Sequence, residues 1–205
     1  MRLRDEDFIS KTEEKRLKYI LTSLEGLTEK QRSVRPLLMD RNIAVVHLLI
    51  NNGLSLQKLV GLKMKNVHFE NNTISVPGIL GIKRTILLTE DDKKILFNYY
   101  KTIPKPVRPK YHSNDPLFVA FDFTRKTYHW SYDNDAPKAL TEIAVQKMIR
   151  LEVERANLRK GISAQHLRNT FILRLIENEV LEGEIIKQLG FRSKLSLKRY
   201  YDYIN

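Results

Sequence analysis

The chain has no cysteine and only five histidines among its 205 residues. Without cysteine, neither a disulfide framework nor a thiolate metal site can form. The histidines, at positions 47, 68, 112, 129 and 166, show no pairing at metal-ligand spacing. The sequence therefore favours neither a metal nor a small-molecule cofactor, and the lack of cysteine agrees with a cytoplasmic protein.

Long hydrophobic runs are also missing. The longest extends from Ile43 to Ile50, is interrupted by His47 and is far shorter than a membrane span. Residues 1–8 carry too many charges for a secretory signal peptide. We therefore expect a protein that is neither secreted nor inserted in a membrane.

Acidic residues are outnumbered, with 24 Asp and Glu against 36 Lys and Arg, so the formal net charge is +12. A surplus of this size favours a polyanionic partner, because cationic side chains neutralise phosphates and release counterions. A basic protein with no nucleic-acid role remains an open alternative. Charge indicates a class of partner and does not by itself indicate a function.

Apolar residues at helical spacing predict a mostly helical chain. Helices are predicted over 10–24, 41–50, 55–61, 89–100 and 141–151, and three more within 163–203. Asp40 and Ser55 are predicted N-caps, and Gly53 is predicted to end the second helix in the left-handed conformation. Gly183 and Gly190 are predicted to separate the last three helices.

Between residues 67 and 88 the apolar residues alternate instead. Three short antiparallel strands are predicted, at 67–69, 73–76 and 83–88, with Asn71 and Asn72 closing the first hairpin. The stretches 104–116 and 124–137 are predicted loops. These elements predict one α+β domain, mostly α-helical, over residues 1–205.

Four segments read like motifs in a fixed order. Residues 52–62 read NGLSLQKLVGL, 83–89 read KRTILLT, 162–171 read ISAQHLRNTF, and 189–200 read LGFRSKLSLKRY. Together they resemble the boxes of the tyrosine recombinase, or phage integrase, family, and most closely its Xer-like members with a degenerate active site. The resemblance implies the family's catalytic-domain fold with a small three-stranded antiparallel sheet. The family's N-terminal core-binding domain is expected to be absent from these residues.

In that family a tyrosine attacks the scissile phosphate and forms a 3′-phosphotyrosyl link, without metal or ATP. The resemblance puts Tyr200 at the nucleophile's position, with Tyr201 as an alternative registration, and Arg168 at the second catalytic arginine. The family's hairpin lysine falls on Ile79, so Lys83 could serve only if the turn is remodelled. Arginine forks suit the charge that develops on the phosphate oxygens.

Other positions depart from the family pattern. Ser55 stands where the first arginine belongs, and Lys58 where a glutamate is usual. Gln165 and Asn169 replace two histidines, and Phe191 replaces a histidine or tryptophan; the remaining histidine nearby, His166, lies about 100° around the helix from Gln165 and is a poor substitute. Losing one preorganised donor typically costs ~10²–10³ in rate, so we expect impaired strand cleavage.

Double-stranded DNA is the expected partner, with assembly of several copies on DNA as a possibility. The candidate phosphate contacts are Arg168, Arg192, Lys194, Lys198, Arg199, Lys63, Lys65, Lys83 and Arg84. The chain ends five residues after Tyr200, which puts subunit docking through a longer tail in doubt. Three hypotheses stay open: an active or weakly active recombinase domain, a non-catalytic DNA-binding or regulatory relative, and an RNA-binding or structural basic helical protein.

Overall fold

The computed structural model describes residues 2–78 and 83–204. Its helices and strands follow one another along the chain as α1 (Lys11–Thr22), α2 (Glu29–Asn52), α3 (Leu56–Val60), β1 (Val67–His68), β2 (Thr73–Pro77), β3 (Lys83–Leu87), α4 (Glu90–Thr102), β4 (Phe121–Asp122), β5 (Thr127–Tyr128), β6 (Trp130–Ser131), β7 (Ala136–Pro137), α5 (Glu142–Arg155), α6 (Ala164–Glu177), α7 (Glu182–Leu189) and α8 (Leu195–Ile204). Short 3₁₀ turns lie at Asp5–Asp7, Met64–Asn66 and Lys105–Val107. The predicted class, α+β and mostly helical, is confirmed.

Helix α2 is much longer than predicted, and Asp40 lies inside it. The N-cap is Thr28, whose side chain accepts a hydrogen bond from the Gln31 N–H at 3.3 Å. The prediction was wrong because charged residues and Pro36 hide the helical pattern before position 41. Packing of α2 against α4 and α6 compensates for the backbone hydrogen bond that Pro36 cannot donate. Gly53 ends the helix at φ 59°, as predicted.

The three-stranded antiparallel sheet has the predicted order β1-β2-β3, with Ile74 opposite both Val67 and Ile86. Asn72 adopts φ 51° in the turn between the first two strands, as its side chain allows. The prediction of a plain surface loop over 124–137 was wrong. The short pairs β4–β5 and β6–β7 reach into this stretch, and the buried Tyr128 hydroxyl donates to the Leu37 carbonyl at 2.6 Å.

The last three helices are α6, α7 and α8. Gly190 ends α7 at φ 65°, as predicted. Gly183 was wrongly predicted to separate two helices, since it lies inside α7. A glycine there costs the helix only ~1 kcal/mol relative to alanine, and α6 ends instead at Asn178.

Buried apolar residues form two clusters. The larger one joins α1, α2, α4 and α5 to the three-stranded sheet. The smaller one, called here the C-terminal cluster, consists of Leu3, Phe8, Phe171, Ile172, Ile185, Leu189, Leu197 and Tyr200. In this cluster the N-terminal residues and α8 pack against α6. The packing therefore determines where Tyr200 lies.

A charged network lies within the larger cluster. The Glu152 side chain is 0% exposed and pairs with Arg35 at 2.5 Å and with Arg155. Asn42 donates to the same carboxylate at 3.2 Å, and Arg35 also donates to the Leu21 carbonyl at 2.6 Å. The network joins α2 to α5, with the two guanidinium groups sharing one carboxylate, as buried charges need a partner.

Across the residues that the structure describes, no helix has the length and apolar character needed to cross a membrane.

Candidate active site

The turn after α2 forms one wall of the site. A Cβ on Gly53 would overlap the Phe171 ring, so glycine allows α6 to pack closely against this turn. Ser55 follows as the N-cap of α3, its hydroxyl accepting from the Lys58 N–H at 3.3 Å, as predicted. The Lys58 ammonium donates to the Pro77 carbonyl at 2.5 Å. Ser55, which the motif resemblance predicts at the position of the family's first arginine, thus provides a neutral capping hydroxyl.

Arg168 extends from α6 toward this turn. Its Nε donates to the Gly53 carbonyl at 3.1 Å, and its guanidinium lies 5.3 Å from the centre of the Phe191 ring. Burial lowers the pKa of Arg168, an effect that the nearby Tyr200 opposes. Among the described residues, Arg168 donates a hydrogen bond only through Nε, so its two terminal nitrogens can offer a fork to an anion.

Arg84 reaches the same turn from β3, with its Nη2 donating to the Asn52 carbonyl. It is only 7% exposed, and burial, with the charge of Arg168 adding to the effect, lowers the pKa of Arg84 to about 10. Within the described residues no carboxylate pairs with either arginine. Arg84 was predicted as a phosphate contact, but its burial sets it apart from the exposed candidates.

Tyr200 lies on α8 and is 0% exposed. Its hydroxyl donates to Asn169 Oδ1 at 2.7 Å and accepts from Arg199 Nη2 at 2.9 Å. Gln165 Nε2 donates to the same Oδ1 at 2.7 Å, which uses both lone pairs of the amide oxygen. Burial raises the pKa of Tyr200, while the charges of Arg199 and Arg168 oppose that rise. The hydroxyl is therefore held protonated against an amide, which is not a base.

The remaining predicted positions contribute differently. His166 Nδ1 lies 3.2 Å from the Ser163 backbone nitrogen and 2.8 Å from its hydroxyl, and thus caps the start of α6. Burial is the main cause of the lowered pKa of His166. Ile79 lies outside the described residues, and Lys83 is described only as the first residue of β3, opposite Pro77.

Exposed cations lie in two stretches of the chain, shortly after α3 and between α7 and the end of α8. Six of the candidate phosphate contacts are exposed, namely Lys63, Lys65, Arg192, Lys194, Lys198 and Arg199. Lys194 pairs with Glu182 at 3.0 Å, and Arg199 is tied to the Tyr200 hydroxyl. The other four are cations of the kind that binds backbone phosphates.

The contribution of the N-terminal residues to the site was not predicted from the sequence. The Asp7 carbonyl accepts from Asn169 Nδ2 at 3.0 Å, and the Phe8 ring lies edge-on to Tyr200, with centroids 6.5 Å apart. These contacts join positions far apart in the chain through a backbone carbonyl and an apolar ring, so no motif or periodicity indicated them.

The sequence is similar to those of curated tyrosine recombinases. The chain is 24% identical to the tyrosine recombinase XerD of Lacticaseibacillus casei over 185 residues, which are 90% of this chain and 57% of that protein. It is 25% identical to the tyrosine recombinase XerC of Lactobacillus leichmannii, over 80% of this chain and 51% of that protein. The chain thus spans about half the length of these curated relatives.

Solved structures share the fold. The XerH site-specific recombinase bound to its difH substrate, in a pre-cleavage complex, matches with a TM-score of 0.71 and 20% identity, over 98% of this chain and 51% of that one. The phage integrase family itself matches residues 12–204. Since that match covers nearly the whole chain and the four predicted motifs lie within it, the protein belongs to the phage integrase family.

Proposed function

We propose that this chain binds duplex DNA as the catalytic-type domain of a site-specific recombinase, and that its strand cleavage is impaired. The observation that carries the proposal is the Tyr200 hydroxyl, buried beside Arg168 and hydrogen-bonded to Asn169. Arg168 and Tyr200 stand at the family's positions, while the groups that would activate them are replaced. A cytoplasmic location and assembly of several copies on DNA belong to the same proposal.

DNA binding is supported by charge. The net charge of +12 and the exposed cations around α7 and α8 would attract the phosphate backbone. Among the solved structures that share the fold, the Tn1549 transposon integrase is in complex with transposon right end DNA. The terminal nitrogens of Arg168 offer a planar fork to a phosphate entering beside Phe191.

Impaired cleavage follows from the chemistry. In the cleaving step the Tyr200 oxygen would bond to phosphorus, the bond from phosphorus to the 5′ oxygen would break, and that oxygen would take up a proton. The tyrosine proton needs a base, but the Asn169 amide cannot accept it. Ser55 contributes no charge to the phosphate oxygens. Losing one preorganised donor to the phosphate oxygens typically lowers the rate by ~10²–10³, although the effects of several losses within one site are not additive.

DNA binding can be measured by fluorescence anisotropy on a labelled duplex of random sequence over a series of salt concentrations. We expect log affinity to fall steeply with log salt, and Lys198→Ala to reduce that slope by about 1. Lys15→Ala, which removes an exposed cation on α1, is the matched control and should leave the slope unchanged. Tighter binding to single-stranded or structured RNA at the same salt concentration would contradict the proposal, as would no binding at low salt.

A further inference from the structure

The N-terminal segment, residues 3–8, packs against the helix that carries Tyr200. Leu3 and Phe8 are buried members of the C-terminal cluster, together with Leu197 and Tyr200 of α8. Phe8 is only 6% exposed. These apolar contacts bury the segment against α6 and α8.

Two residues of the segment contact α8 through Tyr203, three residues beyond Tyr200 and hence on the same face of the helix. The Tyr203 hydroxyl donates to Asp5 Oδ1 at 3.0 Å. The Phe8 ring lies 4.6 Å from the Tyr203 ring, centre to centre, at 37°, and 6.5 Å from the Tyr200 ring, edge to face. Phe8 therefore touches both tyrosines, and Asp5 fixes one of them.

The same segment is fastened to α6. Asn169 donates through Nδ2 to the Asp7 carbonyl at 3.0 Å and accepts the Tyr200 hydroxyl at its Oδ1. Just beyond the segment, the Ile9 N–H donates to Thr170 Oγ1 at 2.9 Å. One amide side chain thus bonds both the segment and Tyr200, so a shift of either partner changes the geometry of the other.

We propose that Phe8 and Asp5 are positioning residues, which hold α8 so that the Tyr200 hydroxyl stays on Asn169. Because Tyr200 is 0% exposed, its hydroxyl reaches a phosphate only when α8 moves, and α8 moves freely only when the segment releases it. The importance of this release for strand cleavage rests on the proposed function. The positioning itself does not, because it concerns contacts within this chain.

The test combines hydrogen exchange with nitration of the full chain by tetranitromethane, which modifies accessible tyrosines. Phe8→Ala should speed exchange in α8 by on the order of tenfold or more while leaving α2 unchanged. It should also make Tyr200 reactive, as read by mass spectrometry against the exposed Tyr19. Phe8→Leu, which keeps apolar volume, should restore most of the protection. Phe97→Ala, which removes the aromatic contact that Phe97 of α4 makes with Phe69, is the matched control and should leave Tyr200 protected.

A second variant guards against a failure of Phe8→Ala to fold. Tyr203→Phe combined with Asp5→Ala removes only an exposed hydrogen bond, and should speed exchange in α8 by roughly two- to tenfold. If Tyr200 stays unreactive and α8 stays protected in both folded variants, the positioning role is wrong. It is also wrong if α2 and α8 lose protection equally, since that indicates general destabilisation. These readouts need no DNA, so they succeed or fail independently of DNA binding.

Discussion

The Tyr200 hydroxyl lies 2.7 Å from Asn169 Oδ1. The family resemblance leads one to expect a histidine at position 169. In this contact the tyrosine hydroxyl is the donor, so it carries its proton. Among the described residues, the hydroxyl bonds only to the Asn169 amide and the Arg199 guanidinium, neither of which is a base, and this arrangement is the basis of the proposed impairment.

Tyr200→Phe removes that hydrogen bond and the one from Arg199. We expect the free energy of unfolding in urea to fall by about 0.5–1.5 kcal/mol, because Asn169 keeps its hydrogen bond from Gln165. Tyr201→Phe is the neighbouring control and should change the stability by no more than a few tenths of a kcal/mol. Duplex binding should be unchanged in both variants, since neither substitution removes an exposed positive charge. A loss of DNA affinity in Tyr200→Phe would disagree with this account.

Gly53→Ala tests the turn that holds Arg168. The residue has φ 59°, and an added Cβ would overlap the Phe171 ring, so the substitution combines backbone strain with overpacking. We expect it to lower the free energy of unfolding by about 2–4 kcal/mol. Gly183→Ala is the matched control, because a Cβ there meets nothing within 4 Å and favours the helix, raising stability by about 0.5–1 kcal/mol. Equal effects at the two glycines would contradict the packing described for Gly53.

Glu152→Ala tests the buried charged network. It would leave the guanidinium groups of Arg35 and Arg155 buried without their carboxylate. Removing one partner of a buried ion pair costs about 3–5 kcal/mol. The midpoints of thermal and urea unfolding should therefore both fall strongly. Glu154→Ala, at an exposed position on the same helix, should have little effect. A mild change in Glu152→Ala would show that water reaches the two arginines.

The fold was predictable where local chemistry decides the structure. Ser55, Gly53 and Asn72 adopt the predicted cap and turn conformations, because a capping hydroxyl and a positive φ depend on only a few neighbouring residues. The start of α2 was not predictable in this way. Its first turns contain Pro36 and several charges, and they are helical because the rest of the helix packs against α4 and α6.

The motif spacing predicts which residue types belong to the candidate site, but it predicts none of their contacts. The roles of Arg168, Tyr200 and the substituted positions stay predictions. Spacing could not reveal that Arg84 is buried, or that Tyr203 bonds to Asp5, 198 positions away in the sequence. Such contacts arise from tertiary packing, which leaves no periodic signal.

His166 makes the stability depend on pH. Burial and the charge of Arg159 lower the pKa of His166, so the unfolded chain takes up the proton more readily than the folded one. Stability is therefore complete above the ordinary histidine pKa of 6.5 and falls as the pH drops below it. Urea unfolding at pH 7.5 and pH 5.5 should show this fall, and His166→Asn should reduce it. His112→Asn, at an exposed position, should leave it unchanged.

The most direct test of the central claim is covalent trapping on DNA. A nicked suicide duplex, carrying a sequence that the protein itself selects from a random pool, would retain any 3′-phosphotyrosyl adduct. We predict tight, salt-sensitive binding of this duplex with adduct formation at least ~10² slower than for a recombinase with an intact site, and the residual adduct should disappear in Tyr200→Phe. Rapid, stoichiometric adduct formation through Tyr200 would contradict the account of an impaired site.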